Sequence, residues 1–246
     1  MKKRRRLKKK AVVAALILAL SISGILCSLK NIISWKKDTS GNNEIKKEIQ
    51  EAIKIDEETK EYIVDFDKLK EQNSDTVAYI KVENTNIEYP VVKGTDNDYY
   101  LRHNFNKEYN VAGWIFADYR NKFDGTDRNT VIYGHNMKDG SMFNNLRKTS
   151  NKKWKEEDHT ITLITQNKTT KYQIFSVYTI EPEEYYLQTE FNDINYINFI
   201  NKIKERSIYE YDVNVETTDK ILTLSTCNDS GSKRIVVHAK EIKEEI

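Results

Sequence analysis

The sequence predicts a mainly β domain, a barrel or sandwich with helices added, carried behind one N-terminal membrane helix. Three observations predict it. A series of short segments rich in β-branched and aromatic residues is separated by polar turns, one helical stretch with regularly spaced apolar residues lies late in the chain, and an uncharged run follows a basic head. The 246 residues, 38% hydrophobic and 32% charged, suffice for one sizeable domain plus an anchor.

The charge is unevenly placed. Lys2, Lys3, Arg4, Arg5, Arg6, Lys8, Lys9 and Lys10 are 8 of the 40 basic residues, so the other 32 face all 38 acids and the body carries a net −6. A basic head on a mildly acidic body is a topology signal and argues against a nucleic-acid partner. Ala11 to Leu29 is a run of 19 residues without a charge, which Ile32 and Ile33 extend. At 1.5 Å per residue, a helix of that length nearly spans a hydrocarbon core of roughly 30 Å. The basic cluster places the N-terminus in the cytoplasm and the body outside. No small-x-small cleavage site closes the run, and Leu26 precedes Cys27 where a lipid-modified cysteine would follow a small residue. An uncleaved anchor is therefore favoured over a signal peptide.

From Asn42 to about Lys60 the chain is polar, with Ile45, Ile49, Ala52 and Ile53 at helical spacing, which predicts a stalk or a helix lightly packed on the body. Phe66 and Leu69 before the turn at Asn73-Ser74-Asp75 predict a short helix. Val77 to Val82 alternates as a strand, as does Ile87 to Val92 around Pro90. Further strands are predicted at Gly113 to Ala117, Asn129 to Tyr133, Thr160 to Ile164, Lys171 to Ile180, Lys220 to Thr226 and Arg234 to Lys240. Ile194, Ile197, Ile200 and Ile203 predict a helix from Asp193 to Arg206. The expected organisation is a cytoplasmic tail at 1–10, an anchor at 11–33, a stalk and N-terminal helix at 34–64, and one folded domain at 65–246.

Only two cysteines are present, Cys27 in the anchor and Cys227 in the exported body. A lone exported thiol is either a buried inert side chain or a reactive one. Cys227 closes the apolar run Ile221-Leu222-Thr223-Leu224-Ser225-Thr226, so a buried strand delivers it to a rim, and a short loop returns to Arg234 at the start of the next strand. Only the thiolate attacks a carbonyl, and a free thiol ionises near pH 8.5, so the site needs help. A guanidinium stays charged and can stabilise the thiolate or the oxyanion formed on a substrate. His135, in Val131-Ile132-Tyr133-Gly134-His135, lies just past a strand behind a glycine read as a tight turn, where a general acid could serve a departing amine. His103, His159 and His238 are more simply structural.

These residues resemble the sortases. Thr223-Leu224-Ser225-Thr226-Cys227 with Arg234 matches their Thr-Leu-x-Thr-Cys…Arg signature, and Tyr133-Gly134-His135 matches their histidine motif in the same order. The resemblance is nearest to class B, runs from about Asp65 to Lys243, and includes Ala78 to Val82 and Thr85 to Val92. It implies an eight-stranded β-barrel with N-terminal helices and an inserted helix, needing no cofactor and no metal. It also implies that Cys227, His135 and Arg234 are catalytic: Cys227 cleaves an Asn-Pro-x-Thr-Gly/Asn-like sorting signal after Thr and passes the acyl group to a cell-wall amine. The implied partners are surface proteins bearing that signal and a peptidoglycan-precursor or pilin amine. By motif matching, Asn97, Leu101, Tyr186, Leu187 and Ser225 line the peptide groove. Asp229 matches a position considered for orienting the histidine, although a solvated loop acid is the simpler reading.

Rival readings fare worse. An L,D-transpeptidase would show a glycine where Thr226 stands before the cysteine. A papain-like peptidase would place its cysteine before its histidine. A non-catalytic surface-binding or pilus-assembly protein on the same fold would be favoured by loss of a triad residue, and none is lost.

Overall fold

The main strands of the body are buried along nearly their whole length, and a sheet apolar on both faces must either be covered or close on itself. The computed structural model describes the backbone of residues 2–227 and 231–242, with side chains described at 11–226 and 231–242. The chain divides into two compact units, 1–41 and 42–246. Helix α1, Lys2–Ile49, forms the first unit and opens the second. In the first unit it is long and apolar enough to cross a membrane, and its apolar side chains from Val12 to Ile33 are exposed.

In the second unit α1 ends at Ile49, short of the helix expected to run to about Lys60. Ile53–Ile55 (β1) and Tyr62–Val64 (β2) instead form an antiparallel hairpin, with Lys60 at φ 60 in its turn. The helical spacing of Ile45, Ile49 and Ala52 is real, and all three are buried, so this segment belongs to the core and is not a lightly packed stalk. Asn42 is also buried. It donates through Nδ2 to the Gly113 carbonyl at 3.1 Å and accepts from Asn110 Nδ2 at 2.9 Å.

Helix α2, Phe66–Gln72, is capped by Asp65, whose carboxylate accepts from the Lys68 amide. Eight strands then close a barrel: β3 (Thr76–Val82), β4 (Glu88–Val92), β5 (Phe116–Ala117), β6 (Asn129–Tyr133), β7 (Ile161–Ile164), β8 (Thr169–Ile180), β9 (Ile221–Cys227) and β10 (Arg234–Glu241). Their order around the barrel is β10-β8-β7-β3-β4-β5-β6-β9, with β9 bonded back to β10. Closure removes the edge that such apolar strands would otherwise expose. All pairings are antiparallel except β4–β5 and β6–β9.

Each predicted strand appears within a few residues of its expected bounds, and Pro90 sits inside β4 opposite Tyr79. The segments at Asn144–Ser150 (a 3-10 stretch) and Lys152–Glu156 (helix α3) carry no clear periodicity in sequence and lie outside the expected elements. Helix α4, Asp193–Glu205, lies where the isoleucine spacing puts it. Its start is capped by the Asn192 side chain on the Asn195 amide. Tyr196, Phe199, Ile200 and Ile203 are its buried face, and they pack with Tyr178, Tyr186, Val236 and Ile221 outside the β8–β10–β9 wall. Ile194 and Ile197 are exposed, so the threefold isoleucine rhythm marks the helix but overstates its apolar face.

Candidate active site

Strand β9 is the centre of the site because it lies between β6 and β10. It runs parallel to β6, with Tyr133 opposite Ser225, and the Gly134 amide continues the ladder by donating to the Ser225 carbonyl at 3.2 Å. Continued by two residues, this register brings His135 level with Cys227. On the other side β10 is antiparallel to β9 and pairs Arg234 directly with Cys227. The backbone therefore gathers the three expected catalytic positions at one barrel rim.

Gly134 is required for space and not for the tight turn expected from sequence, since its φ is not in the left-handed region. A Cβ there would run into Ile115 Cδ1 and lie 2.8 Å from Phe143 Cγ, both residues being fully buried. The next residue, His135, is half-buried, and its Nε2 donates to the Leu101 carbonyl at 2.9 Å. A proton on Nε2 leaves Nδ1 of the neutral ring as an acceptor. Arg234 is half-buried, and its Nη1 approaches the carbonyls of Gly231 and Lys233 at 3.4 and 3.3 Å. No carboxylate is paired with it among the described residues. Asp229, the residue considered for orienting the histidine, lies outside the described residues.

The five positions expected to line a peptide groove fall into two sets. Leu101 and Leu187 are partly exposed, Leu101 at the end of a 3-10 turn, Tyr99–Leu101, and Leu187 at the end of another, Tyr185–Leu187. Asn97 is half-buried and committed: its Oδ1 accepts from the Tyr119 amide at 3.1 Å, and its Nδ2 donates to Asp118 Oδ2 at 2.9 Å. Tyr186 and Ser225 are both buried, and their hydroxyls meet at 3.2 Å, so neither presents its side chain to solvent.

Behind β9 runs a buried polar chain. The Thr223 hydroxyl donates to Asn129 Oδ1 at 2.6 Å, His238 Nδ1 donates to that hydroxyl at 2.8 Å, and Tyr178 donates to His238 Nε2 at 2.8 Å. These roles follow from Asn129 Oδ1 being an acceptor only. Burial, aided by the Arg206 charge, lowers the His238 pKa to about 3, so the ring is neutral. His103 and His159 also have local partners, through Nδ1 on the carbonyls of Tyr99 and Glu83. The structural reading of these three histidines agrees with their contacts.

Sequence reasoning missed Asp118 and Arg120. Asp118 is fully buried, and burial alone would raise its carboxyl. The bonds from Arg120, Tyr133 and Asn97 outweigh that and hold it below the usual carboxylate range. The only trace in sequence is a charge closing the apolar run Gly113 to Ala117. Among the described residues, no group of three or more His, Cys, Asp and Glu side chains is placed to hold a metal ion.

Known proteins share this fold over most of the chain. The Sortase domain model matches residues 80–242. Sortase B of Listeria monocytogenes is 39% identical over 190 residues, covering 76% of each chain. Sortase B of Staphylococcus aureus is 40% identical over 184 residues, covering 72% of this chain and 75% of its own. The crystal structure of sortase B from B. anthracis in complex with AAEK1 superposes with a TM-score of 0.75 at 37% identity, over 85% of this chain and 99% of that one. An eight-stranded closed barrel with these relatives over most of its length has one reading: the chain belongs to the sortase family of cysteine transpeptidases, in its class B.

Proposed function

We propose that Cys227, His135 and Arg234 carry out the transfer, cutting a surface protein at an Asn-Pro-x-Thr-Gly/Asn-like signal and joining it to a cell-wall amine. The observation that carries this reading is the register around β9, with Arg234 opposite Cys227 and His135 level with it on the parallel neighbour.

In the first half-reaction the thiol proton passes to His135, and the thiolate attacks the carbonyl carbon of the signal's Thr. Arg234 balances the oxyanion, which a permanently charged donor can do at any working pH. The C–N bond then breaks, the departing amine takes the proton from His135, and a thioester remains on Cys227. In the second half-reaction an incoming amine attacks the thioester and gives a proton to His135, the C–S bond breaks, and His135 returns that proton to the departing thiolate, so an amide forms and the thiol is restored. Water in place of the amine would give slow hydrolysis. The groove for the signal lies between Asn97 and Leu101 on one side and Leu187 on the other, with Tyr186 and Ser225 packed beneath its floor.

The helix of the first unit supports an anchored arrangement, with the basic 1–10 segment in the cytoplasm and the catalytic domain at the outer face. There the enzyme meets exported surface proteins, and either a peptidoglycan precursor or a pilin lysine can supply the amine.

The test uses the full chain in detergent with quenched peptides carrying the signal. Cys227→Ala should abolish cleavage, and His135→Ala and Arg234→Ala should each lose at least about a hundredfold, in line with a general acid or an oxyanion donor. A Cys227→Ala protein as fast as the parent would overturn the nucleophile assignment.

A further inference from the structure

We infer that the Asp118–Arg120 pair is a positioning device that holds the two walls of the peptide groove at a fixed separation. The inference rests on the groove and the reaction proposed above. It begins with an unusual concentration of bonds on one buried carboxylate. Asp118 Oδ1 accepts from Arg120 Nε at 2.8 Å and from the Arg120 amide at 3.0 Å. Its Oδ2 accepts from Arg120 Nη2 at 2.7 Å, Asn97 Nδ2 at 2.9 Å and the Tyr133 hydroxyl at 2.8 Å. Arg120 Nη2 also donates to the Leu187 carbonyl at 2.8 Å.

These bonds reach three separate segments of chain. Asn97 belongs to the wall that ends at Leu101, whose carbonyl meets His135. Tyr133 ends β6, two residues before His135. Leu187 belongs to the opposite wall. A second tether acts beside the first, since Asn129 Nδ2 donates to the Gln188 carbonyl at 2.8 Å and lies 3.4 Å from that of Tyr186. Three successive carbonyls of the 185–188 segment are thus held by side chains from β6 and from the segment just before it.

An ion pair with a buried partner is weak as a device for stability alone, because apolar residues of like volume serve as well. It is strong as a device for geometry. A planar guanidinium bound side-on to a carboxylate fixes both partners and still directs a further N–H at a third group. An enzyme that must seat an extended peptide gains from walls fixed in advance, since ordering them on binding would weaken affinity.

Arg120→Lys is the decisive variant. It keeps a cation beside Asp118, but a single ammonium cannot reproduce the side-on pair and also hold the Leu187 carbonyl. The full chain in detergent is assayed with the quenched signal peptide, with a small thiol alkylator, by thermal unfolding and by hydrogen exchange. For Arg120→Lys we expect KM to rise about tenfold, with kcat within about threefold of the parent, the Cys227 alkylation rate within about twofold and the unfolding midpoint nearly unchanged. Exchange of the 181–190 amides should rise. Arg120→Ala should raise KM further, and Asp118→Asn/Arg120→Ala should be no worse than its weaker parent variant, because both substitutions undo one device.

An unchanged KM in both Arg120 variants would overturn the inference, as would losses that multiply in the double variant, which would mean that Arg120 meets the peptide independently. Unchanged exchange at 181–190 would overturn the tether itself, whatever the activity. A parent chain that cleaves no signal peptide, yet gains exchange at 181–190 in Arg120→Lys, would instead refute the reaction and leave the tether standing.

Discussion

Acid should destabilise this domain through His238, and the size of the effect can be worked from its surroundings. The ring is fully buried between Thr223 and Tyr178, and its pKa is lowered to about 3. In the unfolded chain a histidine titrates near 6.5. Between those two values the unfolded chain binds a proton that the folded one refuses, so stability falls as pH falls, by about 1.4 kcal/mol per unit. The contribution is whole above pH 6.5 and is lost progressively toward pH 3. From pH 7.5 to 4.5 the loss is about 2.7 kcal/mol, which for a domain of this size lowers the unfolding midpoint by about 5–11 °C. His238→Gln is the control, because an amide can still donate to Thr223 and accept from Tyr178 but does not titrate. The assay is thermal unfolding of parent and variant, followed by tryptophan fluorescence, at half-unit steps from pH 7.5 to 4.5. Other groups titrate alike in both proteins, so the difference between the curves isolates residue 238. The variant should be less stable at pH 7.5 and should lose less on acidification. A gap between parent and variant that stays constant across the range would refute the assignment of His238 as a buried neutral ring.

Three further outcomes follow from the same geometry. Gly134→Ala must push a methyl group into Ile115 and Phe143, so it should cost about 1–3 kcal/mol and slow peptide cleavage by shifting His135; thermal unfolding and cleavage rates check both. Tyr186→Phe removes the hydroxyl that meets buried Ser225, and it should lower stability by about 1 kcal/mol, read in the same unfolding assay. Arg234→Lys keeps the charge but not the forked donor, so it should lose at least about tenfold in kcat with an unchanged unfolding midpoint.

The strands were legible because their cores are apolar and β-branched, and burial on a closed barrel is what those runs require. Asn129 to Tyr133 and Arg234 to Lys240 show this well, matching β6 and β10 to within a residue. The segment after Ile49 was not legible. Ile53 continues the helical spacing of Ile45, Ile49 and Ala52, yet the Lys60 turn and the partner strand at Tyr62–Val64 claim it for a hairpin. Spacing within one segment cannot report a partner ten residues away. The Asp118 cluster was hidden for the same reason. Its partners Asn97, Arg120, Tyr133 and Leu187 come from four segments, and only the barrel brings them together. His135, Cys227 and Arg234 could be singled out because each sits in a local run with its own recognisable pattern.

The placement of those positions depends on a feature of the barrel that local runs do not encode. Two antiparallel neighbours of β9 would each begin where β9 ends. Arg234 meets that condition, being the first residue of β10. His135 does not, because it follows the last residue of β6. It can reach the Cys227 rim only if β6 runs parallel to β9, and the register from Asn129 opposite Ile221 to Tyr133 opposite Ser225 is parallel. A parallel pair needs a long crossover, and residues 134–220, carrying β7, β8 and α4, supply it. That same crossover contains the 185–188 segment held by Arg120 and Asn129. The excursion that brings the histidine strand alongside β9 in the right sense therefore also carries the segment tethered across from Asn97, so the rim and that tethered segment follow from a single topological choice.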